Sequence, residues 1–332
     1  MSFPPITVLT ESDLRTCVGL NEDALQAIEE GFTRLARGMA TVPPIMMIPV
    51  PECSGEVDVK SAYVEGLESF AVKIASGFFD NPKQGLPSGS GMMVVISAET
   101  GFPQAVLLDN GYLTDVRTAL AGAIAAKYLA RKEFDSIGVV GAGTQGRYQV
   151  RALQLVRDFN RIVTYDRDPE VAATYAREMS DELGRDVTVA SDPQEVVRES
   201  ELVITATPSR EPYVREEWLH AGQHLTALGS DSEEKQELDP QVFGRADRVV
   251  CDRKSQCFRM GELHHAKEAG ILDESHNIIE LGELTAGSKQ GRVTESEITV
   301  CDLTGVGVQD TAIALLAFRK AKERGLGLVV ES

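Results

Sequence analysis

One segment, "SIGVVGAGTQG" at residues 136–146, constrains the fold of this chain more than any other. An apolar run of strand length leads into glycines at 141, 143 and 146, and "TQGRYQVRALQLVRDF" continues with helical spacing. A strand, a glycine turn and a helix in that order form a dinucleotide-binding fingerprint. In this reading Gly141 permits the tight turn, Gly143 lets the backbone approach a pyrophosphate, and Gly146 allows close helix–strand packing. The opening helix, with Thr144 and Gln145 in its first turn, presents unpaired N–H groups to phosphate. The next apolar run, "RIVTYDRD", ends at Asp166, where a ribose-binding acid is expected. A carboxylate there repels a 2′-phosphate, so NAD is the expected cofactor. Arg167, directly after it, leaves NADP as the lesser alternative.

The rhythm continues as helix in "PEVAATYAREMSDELG", strand in "DVTVAS", helix in "DPQEVVRESE" and strand in "ELVITATPS". "HLTALGSD" and "ADRVVCD" read as further strands. Such alternation implies a parallel sheet with crossover helices. "ITATPS" places Thr207 and Pro208 at the carboxyl edge of that sheet, where ligands of open α/β sheets lie.

The N-terminal third reads differently. Residues 12–38 show helical periodicity through Leu20, Ala24, Ile28 and Phe32, with Asn21 a start signal and Gly38 a stop. Between Val42 and Val106, "VDVKSAYVEG", "SFAVKIAS", "GSGMMVVISAETG" and "PQAVLLDNG" predict an antiparallel meander. The Ala-rich "LTDVRTALAGAIAAKYLAR" predicts one long helix, close-packed through its small residues. Near the end, "TVCDLTGVGVQDTAIALLAFRKAKERG" is a strand, a glycine turn and a helix that returns to the first domain. The expected fold class is α/β, a Rossmann-type parallel-sheet domain with a discontinuous α+β substrate and dimerisation domain. The expected division is residues 1–119 with 308–332, and 120–307.

A formal charge of −18 argues against a nucleic-acid partner, because phosphate-backbone binding relies on neutralising Lys and Arg. The start "MSFPPITVLTESDL" lacks the regions of a signal peptide, and no apolar run reaches the ~20 residues of a membrane span. Five scattered cysteines form no CxxC pair, so reduced thiols in a cytoplasmic protein are expected. His264 and His265 are neighbours that should point in different directions on a helix, so no metal site is expected there.

The stretches "VGAGTQGRYQVRAL", "LTDVRTALAGAIAAKYLAR", "GSDSEEKQELDP", "IIELGELTAGSKQGR" and "DLTGVGVQDTAIA" together resemble the ornithine cyclodeaminase/mu-crystallin family. The resemblance implies a homodimer with NAD(P) at a cleft between two domains, acting as a lyase that cyclises ornithine or as a reductase of imines of 2-oxo acids. It also implies site residues. Lys73 in "FAVKIASG" matches the substrate lysine, a catalytic position, and Ser88 matches a hydroxyl residue that touches the cofactor. Arg117 matches the arginine of the family's helix, with Thr118 beside the phosphates. Asp231, in a run with Gly229 and Ser230, matches the catalytic aspartate, and Lys235 follows it. Thr304, Gly305 and Val306 match the turn that approaches the nicotinamide.

Departures from the cyclodeaminase pattern bear on substrate. "VPPIMMIPV" has no cation where cyclodeaminases carry an arginine, Glu233 and Glu234 replace a proline and glycine, and "SGFFDNP" stands for an "NGHP"-like turn. "KIASGFFDNPKQGLPSGSGMMVV" and "LLDNGYLTDVRTA" resemble the branch holding ectoine-utilisation cyclodeaminase-like proteins and iminosuccinate reductase. That branch implies NADH-dependent reduction of a small imino dicarboxylate, iminosuccinate to L-aspartate. A redox-neutral ornithine cyclodeaminase and a mu-crystallin-like ketimine reductase or binding protein stay open as alternatives. In the reductase reading Arg117 grips a carboxylate through paired N–H bonds, Lys73 orients or protonates the nitrogen, and Asp231 favours the iminium form. Ordinary roles compete: a lone strand lysine is usually a solvated edge residue, and Asp231 could cap a helix starting at "EEKQELDP".

Overall fold

The structure is a computed structural model and describes residues 3–331. The described residues divide into two compact units, residues 3–117 with 306–331, and residues 118–305.

The first unit begins with β1 (Ile6–Thr10), α1 (Glu11–Cys17) and α2 (Glu22–Ala36). The helical periodicity of residues 12–38 runs over two helices, the second starting at the Asn21 signal. Val18 is extended and ends α1, and extended Asn21 caps α2 by accepting from the Ala24 N–H, so Leu20 lies in the break. On α2, Ala24, Leu25, Ile28 and Phe32 are buried, the apolar stripe that the spacing predicts. The strands β2 (Ala40–Thr41) and β3 (Met46–Val50) precede four longer ones: β4 (Gly55–Val64), β5 (Ser69–Phe78), β6 (Gly89–Ser97) and β7 (Pro103–Leu108). Those four form the antiparallel meander, and β1 extends it by pairing parallel to β7. The helix α3 (Tyr112–Leu129) follows as the Ala-rich composition predicts.

The second unit holds β8 (Ser136–Val140), α4 (Thr144–Leu153), β9 (Arg161–Tyr165), α5 (Pro169–Leu183), β10 (Asp186–Val189), α6 (Pro193–Glu199) and β11 (Leu202–Thr205). It continues through β12 (His224–Ala227), α7 (Gln241–Arg245), β13 (Arg248–Cys251), α8 (Lys254–Met260), α9 (Glu262–Glu268), β14 (Ile279–Glu280), α10 (Leu281–Thr285) and β15 (Thr299–Asp302). Every pairing in this sheet is parallel, in the order β10-β9-β8-β11-β12-β15-β13-β14. The chain reverses its direction of travel across the sheet between β8 and β11, the switch point at which such sheets bind ligands. The late strand β15 slots between β12 and β13.

After β15 the chain returns to the first unit as α11 (Gly307–Arg324) and β16 (Leu328–Val330), which pairs with β1. A Cβ on Gly307 would lie 2.2 Å from the Ser61 carbonyl oxygen, so only glycine lets α11 start this close to β4. Thr311 Oγ1 donates to the Ala62 carbonyl at 2.7 Å and receives the Ala71 N–H at 3.2 Å, fastening α11 across β4 and β5. All five cysteines are free thiols, four of them buried. Among the described residues no helix is long and apolar enough to cross a membrane.

Candidate functional site

In the second unit, the glycine turn sits at the switch point. Gly141 has φ +102°, and a Cβ there would lie 2.5 Å from the Ala206 carbonyl oxygen at the end of β11. A Cβ on Gly146 would lie 2.3 Å from the Gly141 carbonyl, so strand and helix meet with no room between them. Gly143 differs from both: a Cβ there would meet nothing within 4 Å. It is exposed, as is Thr144, and α4 begins after it with no side-chain cap. The space that a Cβ would fill at Gly143 therefore lies before an open helix N-terminus, which is the cradle a pyrophosphate requires. Arg147 braces the loop from below, donating to the Ala142 and Gly143 carbonyls. Gln149 donates to the Thr118 carbonyl at 3.1 Å, and Gln145 lies on the same turn of α4.

Asp166 follows β9, and its carboxylate accepts the Ala142 N–H at 2.9 Å and the Asp168 N–H at 3.0 Å. The acid expected to read the ribose is thus fixed to the glycine loop itself. Arg167 is exposed beside it. At the neighbouring strand end, Glu237 accepts from the Thr205 and Thr207 hydroxyls, the Tyr213 hydroxyl and the Thr207 and Gly229 N–H groups, all within 2.7–2.8 Å. Burial raises its carboxyl pKa, and hydrogen bonds from Tyr213, Thr205 and Thr207 oppose that. Glu237 was not singled out from the sequence, where it is one acid in "EEKQELDP"; it ties Thr207 and Gly229 into one edge, next to exposed Pro208.

Asp231 does not cap a helix. Residues 232–234 form a turn, and the Asp231 carboxylate pairs instead with Lys235 Nζ at 2.6 Å. The Lys235 carbonyl accepts from Ser230 Oγ and from His265 Nε2, which closes the turn. His264 and His265 do not diverge as adjacency implies. Their rings meet edge to face at 5.1 Å, and with Glu268 they bring three potential ligand atoms within 4.8 Å. His265 commits Nε2 to the Lys235 carbonyl, so packing is its visible role. The Thr304 and Gly305 N–H groups donate to Asp252 Oδ2 at 2.8 and 2.6 Å, which holds the TGV turn in place.

In the first unit, the structure gathers charges that the sequence keeps far apart. Lys73 lies on β5, an interior strand, and is 2 % exposed, so it is no solvated edge lysine. Its Nζ is 3.0 Å from Asp310 Oδ1 on α11, and Arg117 Nε is 3.0 Å from the same oxygen. Both cations thus share one oxygen of a fully buried carboxylate. Burial, then the Arg117 and Lys60 charges, lower the Lys73 ammonium pKa to about 7, and Asp310 opposes them. The Asp310 carboxyl is held below its ordinary value by Lys73, Arg117 and Lys60 against the opposite push of burial. Asp310 and Lys60 were missed in the sequence. Asp310 sits in "GVGVQD" with no spacing that ties it to Lys73, and Lys60 is an unremarked strand lysine. Ser88 is exposed in the turn before β6, its carbonyl accepting from the Phe78 N–H, and no hydrogen bond among the described residues joins it to this cluster. Val306 is buried with Ala62, Val64 and Val308 at the start of α11.

Residues 7–325 match the model of the ornithine cyclodeaminase/mu-crystallin family. The chain is 50 % identical over 331 residues to an uncharacterized cyclodeaminase of Sinorhizobium fredii, covering 99 % of this chain and 100 % of that one. It is also similar to the Thermococcus litoralis Δ1-pyrroline-2-carboxylate reductase solved with NADH and L-proline, at 34 % identity and TM-score 0.92 over 97 % of this chain and 99 % of that one. The Paracoccus denitrificans iminosuccinate reductase solved with NAD+ is 30 % identical, with TM-score 0.90 over 99 % of this chain and all of the other.

Proposed function

The chain belongs to the ornithine cyclodeaminase/mu-crystallin family, and on that premise we propose that it reduces a small imino dicarboxylate with NADH, converting iminosuccinate to L-aspartate. It is an NAD-dependent oxidoreductase acting on C=N bonds, as its solved relatives are. The observation that carries the substrate reading is the pair of buried cations Lys73 and Arg117, which share one oxygen of the Asp310 carboxylate. Cations in excess inside a protein call for an anionic ligand, because uncompensated buried charge is expensive.

NADH, when bound, supplies the hydride. The residues proposed to hold it are Gly141, Gly143, Thr144, Gln145, Gly146, Asp166 and Arg167, with Thr118, Thr207, Pro208, Gly229, Ser230, Lys235, Gly305 and Val306 around them and a contact from Ser88. Reduction adds hydride to the imine carbon and a proton to nitrogen. In this reading Arg117 binds the carboxylate beside that carbon. Lys73, titrating near neutrality, delivers or holds the proton at nitrogen. Asp231 is the carboxylate that favours the protonated imine.

The same reading makes the protein a cytoplasmic homodimer. The sheet of the first unit turns Lys73 and Met93 inward and their neighbours Ile74 and Met92 outward, where these two pair in register and remain 36 % and 38 % exposed. With exposed Met46 and Ile48 of β3 they form an apolar face suited to a second copy. Sedimentation should give a dimer, and Met92→Glu a monomer.

The deciding assay follows NADH oxidation with oxaloacetate plus ammonia, which form the imine in solution. Turnover no faster than in the ammonia-free control would refute the reading. Proline and ammonia formed from ornithine without added NADH would replace it with the cyclodeaminase.

A further inference from the structure

We propose that His264, His265 and Glu268 form a binding site for a divalent cation of the zinc class, and that the bound cation stiffens the turn that carries Asp231. The site lies on α9, within the second unit, and is independent of the imine-reductase reading.

Helix geometry makes the triangle. Glu268 is four residues from His264 and three from His265, the two offsets that face each other on a helix. Each of the three offers one ligand atom, and these atoms lie within 4.8 Å of one another. His264 Nε2 stands 3.6 Å from Glu268 Oε1, too far for a hydrogen bond. A zinc ion about 2.1 Å from each ligand needs those atoms roughly 3.3 Å apart. Rotation of Glu268, whose side chain is 67 % exposed, closes the remaining gap. Lys267, the cation on the same helix, pairs with Glu274 at 2.8 Å instead.

The hydrogen bond that packs His265 also prepares it as a ligand. A carbonyl oxygen can only accept, so His265 Nε2, 2.8 Å from the Lys235 carbonyl, carries the ring proton. In the neutral ring the lone pair then lies on Nδ1, and no hydrogen bond or ion pair among the described residues takes it. Metal-binding histidines characteristically donate their other ring N–H to a carboxylate or backbone carbonyl, which fixes the tautomer and the ring. Two imidazoles and a carboxylate suit zinc, whereas magnesium and calcium call for oxygen ligands. Water completes the shell at a site this open.

The same bond carries the effect to the neighbouring turn. The Lys235 carbonyl also accepts from Ser230 Oγ, and Lys235 Nζ pairs with Asp231 at 2.6 Å. A cation on Nδ1 draws charge out of the ring, makes Nε2–H the stronger donor and pins that carbonyl.

The test is calorimetric titration of ZnCl2 into the metal-free full chain without a histidine tag, with MgCl2 as the control. We expect one zinc per chain and no magnesium binding. His264→Ala and Glu268→Gln should each weaken zinc binding roughly 10- to 100-fold, with their metal-free Tm close to the parent's. If one variant lowers that Tm, the other decides. No saturable zinc binding, or equal affinity in the parent and both variants, overturns the site.

Hydrogen exchange tests the link to the turn. The Lys235 and Gln236 N–H groups donate to the Ser232 and Ser209 carbonyls at 3.2 and 2.8 Å. Zinc should slow their exchange several-fold in the parent and leave it unchanged in His264→Ala at the same zinc concentration. Zinc binding without slower exchange overturns the link. NADH consumption enters neither readout, so both stand whether or not the chain reduces imines.

Discussion

Asp310 Oδ1 stands 3.0 Å from both Lys73 Nζ and Arg117 Nε, so one buried oxygen places a lysine of β5 and an arginine of α3 around a single point. Asp310→Ala removes the counter-charge that Lys73 and Arg117 share. Breaking a buried pair on one side costs about 3–5 kcal/mol. Urea unfolding should show a loss of that size, with a smaller one for Asp310→Asn. A loss below about 1 kcal/mol would show that the cluster is solvated and carries no such strain.

Lys73 gives the reaction a pH limb. Its ammonium is lowered to about 7 mainly by burial and by Arg117, with Lys60 adding and Asp310 opposing. If it acts as the proton donor, kcat/KM should fall about tenfold per pH unit above that value. Asp310→Asn should move the limb to lower pH, because the group that raises the Lys73 pKa is gone. The stability sign is separate: between about pH 7 and 10.5 the folded chain holds fewer protons here than the unfolded one, so this contribution to stability rises with pH. A limb that does not move in Asp310→Asn would assign it to another group.

The two glycines of the turn should separate binding from folding. Gly143→Ala puts a methyl group where nothing lies within 4 Å, so Tm should hold while NADH affinity falls. Gly146→Ala drives a methyl group to 2.3 Å from the Gly141 carbonyl, and overpacking of this kind typically costs 1–3 kcal/mol. Calorimetric NADH titration and thermal unfolding of both variants check the contrast. Equal NADH affinity in Gly143→Ala and the parent would remove the pyrophosphate from this turn.

Asp166→Ser should shift cofactor choice toward NADPH, by on the order of tenfold or more, because one carboxylate that repels the 2′-phosphate is gone. NADH binding should weaken as well, since the carboxylate also fixes the Ala142 N–H. Comparing kcat/KM for the two cofactors tests this, and an unchanged ratio would give the choice to Arg167.

Asp302 offers a test on stability alone. Burial and the neighbouring Asp252 push its carboxyl up to about 7. Between about pH 4 and 7 the folded chain then binds more protons here than the unfolded one, so this contribution to stability falls as pH rises. Asp302→Asn keeps an acceptor for the Leu263 N–H and removes the titration. Its Tm advantage over the parent should be larger at pH 8 than at pH 5. The same difference at both pH values would mean that the group is ionised throughout.

The sequence by itself determined the parts whose causes are local. Glycines at 141, 143 and 146 between an apolar strand and an amphipathic helix required a turn of this shape, because close contacts at two of them exclude a Cβ and open space at the third admits a ligand. The alternation of periods implied the parallel sheet, and Asn21 marked the start of α2. The same local logic left α1 unmarked as a separate helix, because periodicity continues across Val18 while the helical backbone does not. Tertiary structure alone decided the charge cluster. Lys60, Lys73, Arg117 and Asp310 come from two strands and two helices, and their meeting depends on strand register and on Gly307 letting α11 lie against β4. Sequence spacing carries no record of that approach, since Coulomb attraction acts through space between residues more than 230 positions apart, as Lys73 and Asp310 are.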